Sequence, residues 1–164
     1  MGVLFHVAVP AHDLGAARAF YGGILGCREG RSDEEWVDFD LFGHQLTVLL
    51  SPRESTRARR RYVHGEHLPV RHFGLVLDWA DWEAWVRHLR ERGVELSARP
   101  HVRFAGELGE QATVTFEDPS GNAIELKALR RPDELFERTP EAPLRIVRLE
   151  ERRRGRASGR GRRG

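Results

Sequence analysis

The sequence predicts an α+β fold in which a unit of one strand, one helix and further strands is written twice. Three observations carry this reading. Apolar residues alternate through Val3–Val9 and again through His72–Leu77, marking two opening strands. Behind each lies an aspartate, an apolar stripe at helical spacing and a glycine stop. His6 and His72 hold the same place in the two opening strands, 66 residues apart.

In the first half, Phe5, Val7 and Val9 share one face of the opening strand, and His6 and Ala8 the other. Asp13 stands at an N-cap position. Leu14, Ala17, Phe20, Tyr21 and Ile24 form the helical stripe, and Gly26 ends it. Glu34–Phe42 and His44–Leu50 read as strands on either side of Gly43. In the second half Asp81 is the expected cap. Trp82, Trp85, Val86 and Leu89 form the stripe, and Gly93 the stop. Strands are expected at Val94–Leu96, Ala112–Phe116 and Ala123–Leu129, the last two joined by a turn at Asp118-Pro119-Ser120-Gly121-Asn122.

These elements place one domain at residues 1–130, with module one at 3–50, a polar linker at 51–71 and module two at 72–129. Residues 131–150 read as an irregular arm, with a short strand or helical turn at Leu144–Leu149. Residues 151–164 read as a disordered Arg/Gly-rich tail. The formal charge of +2 divides accordingly. Residues 152–164 hold seven arginines and no acid, so +2 less +7 leaves −5 for residues 1–151. The basic character belongs to the tail, which lacks the interleaved aromatics of a base-stacking module, and sequence-specific nucleic-acid binding is not expected.

No run approaches the ~18 apolar residues that span a bilayer, so no membrane partner is expected. One cysteine, Cys27, leaves no internal disulfide and fits a reducing, cytoplasmic setting, with Cys27 as a small packing residue. Gly-rich nucleotide loops and nucleophile elbows are absent from any strand–helix context.

The run Asp13-Leu14 through Ala19-Phe20-Tyr21 to Leu25-Gly26, paired with Phe116-Glu117-Asp118-Pro119-Ser120-Gly121-Asn122-Ala123-Ile124-Glu125, resembles the vicinal-oxygen-chelate superfamily. That group includes glyoxalases, extradiol dioxygenases, fosfomycin-resistance enzymes and bleomycin-resistance proteins. The resemblance covers residues 3–129. It implies two tandem βαβββ modules whose sheets form a curved cup around a metal or ligand site. It carries the metal-ligand positions onto His6, His72 and Glu125. Aligning Gln45-Leu46-Thr47-Val48 with Glu125-Leu126-Lys127-Ala128 puts Gln45 at the remaining place, as a fourth ligand or substrate contact.

Alternation agrees independently. The two histidines face away from the apolar side of their strands, and Glu125 faces away from Ile124 and Leu126. A carboxylate on such a strand is costly to bury unless paired or metal-bound. Two imidazoles and one carboxylate suit a single divalent ion, with Fe, Mn, Zn and Ni undistinguished. The competing account is a salt bridge from Lys127 or an arginine to Glu125. Asp38, Asp40, Thr47, Thr113, Thr115 and Lys127 are the other candidate cup-lining groups, and His44 falls on the opposite face. His64, His67 and His101 lie in connecting segments.

The resemblance thus implies a metal-dependent enzyme of glyoxalase or ring-cleaving dioxygenase type, acting on a small substrate that chelates through adjacent oxygens. The alternative is a metal-free protein that sequesters a ligand in the cup, as in the bleomycin-resistance branch. Two modules either close a cup within one chain or exchange to build sites across a homodimer.

Overall fold

The computed structural model describes residues 3–63 and 66–137. His64, the remainder of the expected arm with Leu144–Leu149, and the tail lie outside the described residues.

Two four-stranded sheets repeat one topology. Strand β1 (His6–Ala11) leads into helix α1 (Leu14–Ala17), which continues as a π-helical segment through Arg18–Ile24. Strands β2 (Arg28–Ser32), β3 (Trp36–Leu41) and β4 (His44–Leu50) follow, in sheet order β1-β4-β3-β2. After a hairpin of β5 (Arg60–Val63) and β6 (Glu66–Pro69), the second unit runs β7 (His72–Leu77), α2 (Trp79–Glu91), β8 (His101–Arg103), β9 (Gln111–Glu117) and β10 (Ala123–Leu129). Its order, β7-β10-β9-β8, repeats that of the first sheet. The opening strand of each unit pairs parallel with the closing strand, which pairs antiparallel with the strand before it.

Local chemistry explains the helices. The Asp13 carboxylate accepts from the Ala16 amide at 2.5 Å, capping α1. The wider π turns, closed by Leu25 N to Phe20 O at 3.0 Å, run through the glycine pair Gly22–Gly23. They carry Phe20 and Tyr21, adjacent in sequence, into the core together. Gly26 takes a φ of +69°, the left-handed conformation that ends the segment.

One core joins the two units. Tyr21, Phe39, Leu46, Leu89, Val114 and Phe116 are its deepest side chains. The Asp118 turn locks the seam. Its Oδ1 accepts from the amides of Ser120 and Asn122, and its Oδ2 from Tyr21 Oη at 2.8 Å and Asn122 Nδ2 at 2.7 Å. Asn122 Nδ2 also donates to Pro10 O, and Ser120 Oγ accepts from the His12 amide. Burial, followed by the Asp118 charge, pushes the Tyr21 phenol well above its ordinary value, so it remains a donor.

Several expectations are corrected. The polar linker at 51–71 contains the β5–β6 hairpin, and Arg57 and Arg60 bind Glu117 at 3.0 and 2.9 Å instead of being merely solvated. Val94–Leu96 is not a strand; it makes a single bridge, Leu96 to Phe116, and the edge strand begins at His101. Helix α2 begins earlier than Asp81, with Asp78 at the cap and Asp81 in the first turn. β2 has no signal in the sequence, because an edge strand whose residues are all exposed carries no apolar alternation.

Candidate functional site

On the second sheet, Glu125 occupies β10 between the buried Ile124 and Leu126 and is itself 7% exposed. Register sets it opposite Thr115 on β9 and Gly74 on β7. Gly74 is required there, since a Cβ would stand 1.7 Å from the Glu125 carbonyl oxygen. That close approach brings the β7 end near the carboxylate, and His72 Nε2 lies 3.6 Å from Glu125 Oε2.

The protonation of His72 follows from its other nitrogen. Nδ1 lies 2.9 Å from the Pro69 carbonyl oxygen, which can only accept, so Nδ1 carries a proton. In the neutral ring Nε2 is then a lone-pair acceptor facing a carboxylate oxygen. Two such atoms repel unless a cation stands with them, whether a proton on Nε2, a neighbouring ammonium or a metal ion. Bonds of about 2.0–2.2 Å to one ion place two ligand atoms roughly 3–4 Å apart, so the pair fits a shared divalent cation. Lys127 Nζ already lies 3.0 Å from the same oxygen. The residues line a shallow groove of about 210 Å³ on β7 and β10.

On the first sheet the buried carboxylate sits one strand over. Asp38 on β3 is 7% exposed and pairs with Thr47 on β4. Its Oδ1 accepts from Thr47 Oγ1 at 2.6 Å, and its Oδ2 from Gln45 Nε2 at 3.0 Å and Arg31 Nη2 at 3.4 Å. Desolvation works against the charge, but the bonds from Thr47 and Gln45 and the Arg31 guanidinium outweigh it and hold Asp38 below the ordinary carboxylate range. A groove of about 340 Å³ opens here, with Asp38, Gln45 and Arg31 in its lining.

Register corrects one correspondence. His6 pairs with Gln45 and Ala8 with Thr47, as His72 pairs with Ala123 and Gly74 with Glu125. Thr47, not Gln45, is the repeat counterpart of Glu125. The alignment by residue type failed because the turn before β4 is two residues, Phe42–Gly43, whereas five precede β10.

The other candidates divide. Thr113 and Thr115 are buried on β9, and Thr113 Oγ1 meets His101 Nε2 at 3.3 Å. Asp40 works at the rim, capping the Gly43 amide at 2.7 Å and meeting Arg28 at 3.5 Å. His44 accepts from the Phe5 amide at 3.3 Å, and His67 packs against Tyr62. Trp82 is buried in helix packing, and its Nε1 donates to Leu126 O.

His6 does not join His72 and Glu125. Among the described residues, no group of three or more His, Cys, Asp or Glu side chains comes together to hold a metal. Arg31 and the Pro69 carbonyl had no sequence signal, since a surface arginine and a proline in a connector carry none.

Comparison with known proteins agrees with this architecture. Residues 3–126 match the sequence profile of the Glyoxalase/Bleomycin resistance protein/Dioxygenase superfamily. A glyoxalase/bleomycin resistance protein/dioxygenase from Alicyclobacillus acidocaldarius is similar at 30% identity and a TM-score of 0.68, over 82% of this chain and 96% of that one. The fosfomycin resistance protein FosX from Listeria monocytogenes shares the fold at 19% identity and a TM-score of 0.60, over 82% and 98%. Lactoylglutathione lyase from Agrobacterium tumefaciens does so at 21% and 0.58, over 78% and 94%. No curated protein matches the chain. With three quarters of its length matched and the paired sheets in place, the chain belongs to the Glyoxalase/Bleomycin resistance protein/Dioxygenase superfamily.

Proposed function

We propose that the protein is a divalent-metal-dependent enzyme of the glyoxalase or extradiol dioxygenase type, acting on a small substrate that binds through adjacent oxygens. The observation that carries this reading is the His72–Glu125 couple, whose ring nitrogen and carboxylate oxygen lie 3.6 Å apart, a spacing that suits two ligands of one ion. His72 and Glu125 hold the ion from the second sheet, and His6 is supplied by the first sheet of a second copy in a homodimer. A bound divalent ion acts as a Lewis acid toward substrate oxygens.

The chain's own residues then have defined work. The Pro69 carbonyl fixes the His72 ring, as a second partner commonly orients a metal-binding imidazole. Buried Ile124 and Leu126 hold the β10 backbone on which Glu125 stands. Lys127 sets the charge beside the carboxylate and is placed to hold an anionic substrate oxygen.

Lys127 also favours a second reading. An ammonium 3.0 Å from Glu125 already supplies a cation, which suits a metal-free protein that sequesters a small ligand. The two readings separate on metal content. Protein purified without chelator is expected to carry stoichiometric divalent metal that is lost in H72A and E125A. Metal-free protein that also fails to take up Mn(II), Fe(II), Zn(II) or Ni(II) selects the sequestering reading.

A further inference from the structure

A bulge in the edge strand β2 turns two arginines onto one face of the first sheet. Register sets Arg28 opposite Asp40 and Glu29 opposite Phe39, but Ser32 opposite Val37, so β2 carries one extra residue. An unbroken ladder would set Arg31 opposite Val37, on the face that packs into the core. With the extra residue, Gly30 and Arg31 together lie across from Asp38, and Arg31 Nη2 reaches its Oδ2. Re-aiming a side chain is a common use of a bulge. Arg28 and Arg31 thereby share the face of Asp38, Asp40 and Gln45, and Gly30 between them adds no side chain to fill the groove.

The charges in this groove are unequally satisfied. Asp38 accepts from Thr47 Oγ1 at 2.6 Å and Gln45 Nε2 at 3.0 Å, and Asp40 from the Gly43 amide at 2.7 Å. Arg28 and Arg31 touch these carboxylates only at 3.5 and 3.4 Å, and their side chains are 83% and 81% exposed. Such exposed pairs are weak. A guanidinium has five N–H donors and no acceptor, so one long contact each leaves most of them available. The Arg31 guanidinium also lies over the Trp36 ring, 5.8 Å from its centre, which steadies it. A carboxylate can only accept, so Gln45 turns its amide nitrogen to Asp38 and keeps a second N–H. The carboxylates are thus engaged by their neighbours, and the groove is left rich in donors. Asp38 and Asp40 are two residues apart on one strand, roughly 7 Å, which brings their arginines near enough to straddle one oxyanion.

We propose that this groove of about 340 Å³ is an anion-binding site, in which Arg28, Arg31 and the second Gln45 N–H hold the phosphoryl or carboxylate group of a small molecule. The planar guanidinium fork matches the paired oxygens of both groups. Asp38 and Asp40 each hold one nitrogen of an arginine and so orient the rest. This lining shares no residue with the groove of His72 and Glu125, and the inference stands whether or not that couple holds an ion.

The test is an NMR titration of the isotope-labelled full chain with inorganic phosphate and, in a second arm, with acetate. It is read at the amides of Gly30 and Gly43, which line the groove. At least one probe is expected to shift both amides saturably; phosphate alone assigns a phosphoryl ligand, and acetate alone a carboxylate. R28Q/R31Q is expected to weaken that binding at least about tenfold. R90Q, on the exposed side of α2, and H72A are expected to leave it unchanged. Shifts confined to the arginine-rich residues 152–164, no saturable shift with either probe, or wild-type affinity in R28Q/R31Q overturns the inference. Loss of binding in H72A also overturns it, because the anion then sits on the second sheet. If the double variant does not fold, R28Q and R31Q decide singly: weakened binding in either supports the inference, and wild-type affinity in both overturns it.

Discussion

Thr47 holds in the first sheet the ladder position that Glu125 holds in the second. Ala8 pairs with Thr47 on one side, and Gly74 with Glu125 on the other. The strand next to each then completes an inverse arrangement: Asp38 lies opposite Thr47, and Thr115 opposite Glu125. Each sheet thus places one buried carboxylate across from one threonine, on opposite strands of the pair. The duplication conserves the scaffold and divides the chemistry.

The Asp38–Thr47 bond therefore has a measurable stability. A hydrogen bond to a charged group contributes roughly 1.5–3 kcal/mol. T47V removes the 2.6 Å donor while keeping the side-chain shape, and chemical denaturation is expected to show a loss in that range. A change below about 0.5 kcal/mol would mean that solvent replaces the hydroxyl without cost.

Acid should expose the same network. The Asp38 carboxyl is depressed in the folded state, so its contribution is present above the unfolded value near pH 4 and is lost as pH falls through the lower folded value. Unfolding free energy measured between about pH 6 and pH 3 should fall more steeply in wild type than in D38N. Parallel slopes would remove Asp38 from the acid response.

Tyr21 ties the first helix to the Asp118 turn of the other module through a 2.8 Å bond in a fully buried setting. Y21F leaves the ring packing against Phe39 and Phe20 in place. It is expected to cost about 1.5–3 kcal/mol. A neutral result would place the seam's strength in packing alone.

Gly74 lies where β7 touches the Glu125 backbone, with no room for a methyl group. G74A must push the strands apart, and a loss of at least about 3 kcal/mol is expected, accompanied by loss of metal uptake. Wild-type stability and uptake in G74A would show that the contact yields freely.

Cys27 offers a check on burial. Desolvation, and next the Asp40 charge, push its thiol up to about 11, and the side chain is buried. Little thiolate exists at neutral pH, so the native protein should resist Ellman's reagent and react fully in denaturant. Rapid native labelling would indicate an open core at that end of the first helix.

Much of this architecture was legible in the residues. Alternation in β7, the Asp13 cap and the Asp118–Asn122 turn each declare themselves locally, and the structure reproduces them, whereas the first strand, expected from Val3, begins at His6 and leaves Phe5 exposed. What failed depended on partners distant in sequence. β2 exists because β3 lies beside it, and the β5–β6 hairpin pairs residues that look like a polar connector. The place of Gln45 turned on ladder register, which a two-residue turn shifted relative to the second half. The carboxylate of Glu125 could be named from alternation, but its two neighbours, His72 and Lys127, support opposite accounts of it.

Mixing two inactive variants tests the composite metal site most directly. H6A retains His72 and Glu125, and E125A retains His6. In a homodimer whose sites combine the first sheet of one copy with the second sheet of the other, neither variant alone has a complete site, but a mixed dimer has one. Each variant alone should bind Mn(II) weakly, and refolding the two together should restore part of the wild-type uptake. Full uptake by H6A alone, or no recovery on mixing while the wild type binds, would contradict the site proposed here.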